Sequence, residues 1–295
     1  MTQKPFRPRR SVLYVPALNE RALAKLAHLS CDAVIIDLED AVAPSRKDEA
    51  RNVLSTFLST REDDGKEIAI RVNGLSTPWG RDDIALALST RPDAILLPKV
   101  EAASDVLAAS RLLDDGDPSG KLAIWSMIET PRGLLEVGSI ASLGREPGSR
   151  LDCLIAGTND LVKDTGVRAT ADRKWLLPWL MQMVLAARAG GVDILDGVSN
   201  DFTDLEAFAA ECAQGRDMGF DGKTLIHPAQ IAAANLAFSP DESEIAEALA
   251  IRAAFDQPEN AETNVITIDG RMVERLHLQQ AERLLAKAGL QRKAT

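Results

Sequence analysis

Short apolar runs recur along the chain, each followed by a polar turn and then a stretch whose apolar positions fall three or four apart. The runs are Ser11–Pro16, Ala33–Asp40, Ile68–Val72, Ala94–Lys99, Leu122–Ile128, Leu151–Ala156, Val192–Leu195 and Lys223–Ile226. Their length and flanking turn residues predict strands, and their nearly unbroken apolar character predicts burial on both faces. The intervening stretches predict helices over Asn19–Leu29, Ser45–Leu58, Thr77–Leu88, Ala102–Leu113, Leu134–Leu143, Ala171–Ala189 (with a turn near Pro178), Asp204–Gly215 and Pro228–Phe238. A further helix is expected over Glu242–Phe255. Asn19 and Ser45 precede their helices as N-caps, and Thr130-Pro131 carries the signature of a cap followed by proline at the first helical position.

Eight strand–helix units in succession predict an α/β fold, a (β/α)8 TIM barrel, which typically takes about 250 residues. An open doubly wound sheet is the alternative, but no G-x-G-x-x-G follows the first strand, so its dinucleotide-binding form is excluded. We assign residues 1–240 to the barrel and 241–295 to a C-terminal helical extension. The extension contains Asn264–Ile268, the turn Asp269-Gly270 and a helix over Arg271–Ala288. The barrel does not need it, which makes it a candidate lid or an arm that contacts a neighbouring subunit.

A barrel brings all eight C-terminal strand ends to one mouth. Collected there are Asp37, Glu39, Asp40, Arg71, Lys99, Glu129, Asp160, Asp196 and His227. The set is rich in carboxylates with two cations among them, which suits a divalent metal and an anionic substrate. Oxygen ligands from separate strand ends fit Mg²⁺, which usually takes one or two carboxylates and keeps water and substrate positions. Glu129 and Asp160, on sequential strand ends, are the expected pair; for each alone the plain alternative is a cap or a solvated loop acid. Glu39 and Asp40 are candidates to hold metal-bound water, or else form an ion-pair cluster with Arg46 or Lys47. Arg71 can hold a carboxylate in a bidentate fork, or pair with Asp37 or Glu39. Lys99 can hold an acid of the cluster or a phosphate. His227, followed by Pro228, reads as a hydrogen-bonding group at a helix start, with a metal role as the alternative.

Charge and composition narrow the partners. The 295 residues carry a formal net charge of −10, with 45% hydrophobic and 26% charged residues and few aromatics. General binding to nucleic acid or to anionic membranes needs a basic surface, so neither is expected. The three cysteines, Cys31, Cys153 and Cys212, have no metal-ligand spacing and are expected as buried thiols. No Ser/His/Asp or Cys/His set is visible. The basic stretch Met1–Arg10 has no apolar segment after it and no run is long enough to span a bilayer, so a cytoplasmic protein is expected.

Seven motifs in order carry a resemblance: Arg10-Ser11-Val12-Leu13-Tyr14-Val15-Pro16, Asp37-Leu38-Glu39-Asp40-Ala41-Val42, Arg71-Val72-Asn73, Leu97-Pro98-Lys99-Val100-Glu101, Ile128-Glu129-Thr130-Pro131, Gly157-Thr158-Asn159-Asp160-Leu161 and Ile226-His227-Pro228. From about Arg10 to Leu285 the chain resembles the citrate lyase β-subunit-like proteins of the HpcH/HpaI aldolase superfamily, with the malyl-CoA and citramalyl-CoA lyases. The resemblance implies a homotrimer or hexamer with Mg²⁺ on Glu129 and Asp160. It gives Arg71 a catalytic and substrate-binding role on the oxo-acid carboxylate, and makes Arg10 and Lys99 weaker substrate-binding candidates. In relatives the C-terminal segment supplies an acid, commonly Asp; here Gly270-Arg271-Met272-Val273-Glu274 places Glu274 there, one methylene longer. Likewise Asn159 stands where the family commonly has Glu. The implied reaction is Mg²⁺-dependent C–C cleavage of a 3-hydroxy-3-carboxyacyl thioester to an acyl-CoA and an oxo-acid, with Glu274 moving the proton. The alternatives are a thioester hydrolase acting on the same acyl-CoA and a non-catalytic subunit binding acyl-CoA or oxo-acid.

Overall fold

The computed structural model describes residues 7–260 and 262–290; the ends of the basic N-terminal stretch and of the C-terminal extension lie outside the described residues. The described residues form two compact units, Arg9–Phe238 and a second that runs from Ser239 to Leu290 and includes Arg7 and Pro8.

In the first unit eight parallel strands close into a barrel in sequence order. They are β1 (Ser11–Pro16), β2 (Ala33–Asp37), β3 (Glu67–Arg71), β4 (Ala94–Leu97), β5 (Ala123–Ile128), β6 (Leu151–Ala156), β7 (Asp193–Asp196) and β8 (Gly222–Leu225). The helices between and after them are α1 (Glu20–Lys25), α2 (Lys47–Thr60), α3 (Gly80–Thr90), α4 (Ala103–Asp114), α5 (Pro131–Leu135), α6 (Val137–Ser142), α7 (Thr158–Thr165), α8 (Leu177–Gly190), α9 (Leu205–Met218) and α10 (Ile231–Ala237). The (β/α)8 barrel is therefore the fold. Parallel register such as Val34↔Ile68 and Asp37↔Arg71 sets alternate residues on opposite faces. Val34, Ile36, Ile68 and Ile70 pack outward under the helices. Ala33, Ile35, Ala69, Ala94, Leu96, Ala123 and Trp125 fill the interior, where the small residues on adjacent strands leave room for the fully buried indole.

Several expectations shift for local reasons. β4 stops at Leu97 because Lys99 turns left-handed, with φ 48°. Ser45 does not cap α2; it lies in a short 3-10 turn, Pro44–Arg46. Thr130 does cap α5, its side chain accepting from the Gly133 N–H at 3.0 Å, so this helix begins earlier than its apolar spacing suggests. α7 has no counterpart among the expected helices, because its polar first turn hides the helical period. All three cysteines are buried and free.

Two buried charge clusters tie the barrel together. At the N-terminal end, Arg9 donates to Glu67 (2.7 Å), Asp152 (2.5 Å) and Asp193 (2.8 Å) and lies 4.8 Å over the Trp125 ring. Between the barrel wall and α9, Lys223 donates to Asp196 (2.9 Å) and Glu211 (2.6 Å), while Arg173 donates to both Asp196 oxygens (2.8 and 2.7 Å). Asp196 thus turns away from the mouth, a correction to its expected place: it follows Ile194 on the outward face and is fully buried.

In the second unit, α11 (Glu242–Phe255) packs on α12 (Arg275–Lys287) through Ala248, Ala281 and Leu285. A two-stranded antiparallel hairpin joins them, β9 (Val265–Ile268) with β10 (Arg271–Glu274), turning at Asp269-Gly270. Arg271–Glu274 is therefore strand, where a helix was expected, because it pairs antiparallel with Val265–Ile268. Glu274 ends this strand, and its backbone N–H donates to His277 Nδ1 at 2.9 Å. Among the described residues, no helix is long and apolar enough to cross a membrane.

Candidate active site at the barrel mouth

Glu129 follows β5 directly and is almost wholly buried. Its Oε1 accepts from the Lys99 backbone N–H at 2.7 Å, a contact the left-handed turn at Lys99 makes possible. Burial pushes the Glu129 carboxyl up to about 8, against the pull of Lys99 and with help from the charges of Glu39 and Asp160. Gly157, at the end of β6, permits this packing: a Cβ there would sit 2.2 Å from Glu129 Cβ. Asp160 lies in the first turn of α7, near enough to Glu129 that each carboxyl feels the other. Burial opposes its charge, but the hydrogen bond from Lys163, the nearby Glu129 carboxyl and the charges of Lys163 and Lys99 hold it below the usual carboxylate range. The two carboxylates expected as a pair are therefore side by side.

Arg71 ends β3 and faces Asp37 at the end of β2. Its Nε and Nη2 donate to the two Asp37 oxygens at 2.7 and 2.5 Å, so the fork expected for a substrate carboxylate is taken by a protein carboxylate. Only Nη1 is turned elsewhere, 3.1 Å from Glu39 Oε2. Lys99 Nζ donates to the other oxygen of Glu39, so Lys99 does hold an acid of the cluster. Burial raises the Glu39 pKa more than Arg71 and Lys99 lower it. Asp40 is more exposed, 3.8 Å from Arg71 and 3.9 Å from Lys99. Lys47 donates to the backbone carbonyls of Leu38 and Glu39, and Arg46 pairs with Glu49, so neither forms the ion pair with Glu39 or Asp40 considered above.

Arg10 is a correction. It precedes β1, at the opposite end of the barrel, where its guanidinium and backbone N–H both bond Asp32 at 2.8 Å. A residue before a strand cannot reach the end where that strand exits. His227 takes the expected helix-start role, its Nδ1 accepting from the Ala229 N–H at 3.2 Å.

The motifs did not single out three features of the mouth. Phe202 stacks on His227 with ring centroids 4.5 Å apart. Asn159 and Asn200 exchange reciprocal amide hydrogen bonds of 3.1 and 2.9 Å, joining the segments after β6 and β7. Tyr14 lies with its ring 5.2 Å from the Arg71 guanidinium. A polar residue at an inward position of β1 was the available signal for Tyr14; Asn159 stood out only as a departure from the family's usual Glu, and nothing local marks its pairing with Asn200 or the Phe202 stack.

The donor set fits magnesium. Glu129 and Asp160 present only oxygen, and a buried carboxyl that resists ionisation beside a second carboxylate is satisfied by a divalent cation. Among the described residues no group of three or more His, Cys, Asp and Glu is placed to hold a metal.

The HpcH/HpaI aldolase/citrate lyase family model matches residues 10–228, the span carrying every one of these barrel-mouth residues. The chain belongs to this family. Among similar members, a (3S)-malyl-CoA thioesterase from Cereibacter sphaeroides is 47% identical over 281 residues, 95% of this chain and 95% of its own. An L-malyl-CoA/β-methylmalyl-CoA lyase from the same species is 31% identical, covering 96% of each chain. The structure of CitE from Mycobacterium tuberculosis in complex with magnesium, acetoacetate and coenzyme A aligns with a TM-score of 0.74 at 29% identity, covering 96% of this chain and 98% of that one. Named members of the family are thus thioesterases as well as lyases.

Proposed function

We propose that this chain hydrolyses a short hydroxyacyl-CoA thioester of the malyl type, with magnesium held by Glu129 and Asp160. The observation that carries this reading is the 47% identity to a (3S)-malyl-CoA thioesterase across 95% of both chains. It favours hydrolysis, the alternative considered above, over C–C cleavage. Magnesium bound at the two carboxylates would supply Lewis-acid polarisation of a carbonyl oxygen.

The residues divide the remaining work. The Lys99 N–H fixes the orientation of Glu129, and Gly157 lets β6 approach it. Arg71, anchored by Asp37, offers Nη1 to a substrate carboxylate. Glu39 holds Lys99 and Arg71 at the rim, and with Asp40 adds charge that favours a cation. In the reaction a water oxygen bonds to the thioester carbonyl carbon, the C–S bond breaks, and the thiol leaves with a proton. Glu274 is the carboxylate that the resemblance gives to proton transfer, and Glu274→Gln tests it separately.

The test is to incubate malyl-CoA with the protein and Mg²⁺ and identify the products. Hydrolysis releases free CoA and malate. Acetyl-CoA and glyoxylate instead would make the chain a C–C lyase, the second reading, which the 31%-identical lyase keeps in view. No turnover of malyl-, citramalyl- or citryl-CoA alongside Mg²⁺-dependent oxo-acid binding would make it a binding subunit. Glu129→Ala should abolish turnover and the rise in melting temperature on adding Mg²⁺; unchanged turnover would reject the metal assignment. Light scattering of the purified chain reads the trimer or hexamer that the resemblance implies.

A further inference from the structure

Among the described residues, two side chains inside the barrel carry a buried polar atom with no hydrogen-bond partner, Tyr14 Oη and Trp125 Nε1, and the reaction above uses neither; Tyr14 is the one at the mouth, beside Arg71. Tyr14 projects inward from β1 among Val12, Ile35 and Leu96. Its ring is partly accessible, yet its hydroxyl is buried and has no hydrogen-bond partner among the described residues. A buried O–H left without a partner is costly, so one in a cleft marks a place for an acceptor. The ring lies under the Arg71 guanidinium, and the hydroxyl feels the charges of Arg71, Asp37, Glu129 and Glu39. It therefore sits at the floor of the mouth, beneath the paired carboxylates. Burial, despite Arg71, raises its pKa, so it stays a neutral donor.

The neighbours decide which oxygen this donor suits. Two nitrogens of Arg71 are held by Asp37, and Lys99 is held by Glu39, so the nearby cations are largely matched by protein carboxylates. An anionic oxygen beside Tyr14 would face Asp37 and Glu39, whose cations are already engaged. A neutral hydroxyl or carbonyl oxygen would not be repelled and would gain the hydrogen bond.

We propose that Tyr14 is a specificity-determining residue whose hydroxyl donates to the neutral oxygen substituent on the substrate's acyl chain, selecting hydroxyacyl over plain alkyl acids. The proposal rests on the hydrolase reading for its kinetic test but not for its binding test. Tyr14→Phe removes the oxygen alone and should leave the melting temperature equal or higher, because a buried unpaired polar atom is lost. Its kcat/KM for malyl-CoA should fall about tenfold, the worth of one hydrogen bond to a buried oxygen. For succinyl-CoA, the deoxy analogue, it should not change. An equal fall for both thioesters would mean that Tyr14 serves the shared carboxylate, and no fall for either would leave it a packing residue; each result overturns the proposal. If wild type hydrolyses neither thioester, the hydrolase reading fails by itself. Calorimetric titration with malate and with succinate, in Mg²⁺, then decides. Wild type should prefer malate and Tyr14→Phe should lose that preference; equal affinities in wild type, or no malate binding, would overturn the assignment.

Discussion

Replacing Asp196 by Asn tests whether the buried cluster behind β7 holds the barrel together. Asp196 and Lys223 are both fully buried, and Arg173 is nearly so. The aspartate accepts from Lys223 at 2.9 Å, from Arg173 at 2.8 and 2.7 Å, and from the Gly197 N–H at 2.9 Å. An amide of the same shape turns one acceptor into a donor facing donors, and leaves two buried cations with Glu211 alone. Removing one partner from a buried ion pair costs about 3–5 kcal/mol. For a barrel of this size that lowers the melting temperature by about 10 °C. Urea unfolding and calorimetry measure both numbers. Asp196→Asn/Lys223→Met removes one charge of each sign and should recover more than about 1 kcal/mol relative to the sum of the single variants. The pH dependence gives a third reading. Burial works against the Asp196 charge, but Lys223 and Arg173 outweigh it and hold the carboxyl below its ordinary value. A depressed folded pKa contributes stability above the unfolded value of about 3.9, lost as pH falls below it. Wild type should therefore lose stability steeply in acid and the Asn variant less so. An Asn variant within about 1 kcal/mol of wild type, with an unchanged acid limb, would refute the reasoning.

Two further substitutions probe the ends of the barrel. Gly157→Ala should cut turnover more than a hundredfold and abolish stabilisation by Mg²⁺, because the added methyl would meet Glu129 Cβ at 2.2 Å; a kinetic assay with a thermal shift in Mg²⁺ reads both. Arg9→Met leaves Glu67, Asp152 and Asp193 without their shared cation at the closed end, and should destabilise the fold by roughly 3 kcal/mol in urea while sparing kcat at low temperature.

The barrel was legible because its strands are apolar on both faces and its helices carry their own period. The meeting of Glu129 with Asp160 was legible because Glu129 follows one apolar run directly and Asp160 comes four residues after the next. What escaped depends on direction, not position. The spacing cannot say that Asp196 turns outward to Lys223, since a one-residue change in where β7 ends reverses its face. Nor can it choose between Arg71 as a substrate clamp and Arg71 as the partner of Asp37, the alternative the structure shows, because that contact joins residues 34 apart in the chain. Arg10 was drawn in by its motif, although its place before β1 sends it to the far end. Tyr14 was read as one more apolar strand residue; its meaning lies in an O–H whose surroundings only the folded barrel defines.

The reciprocal amide pair between Asn159 and Asn200 has an evolutionary consequence. Each side chain gives one hydrogen bond and takes one, so a change at either position alone breaks at least one, and an apolar replacement breaks both. Descendants of a common ancestor can keep the pair or exchange both members, but a single replacement passes through a chain whose rim segments are tied by one of these bonds at most. Positions 159 and 200 should therefore vary together across relatives, although 41 residues separate them.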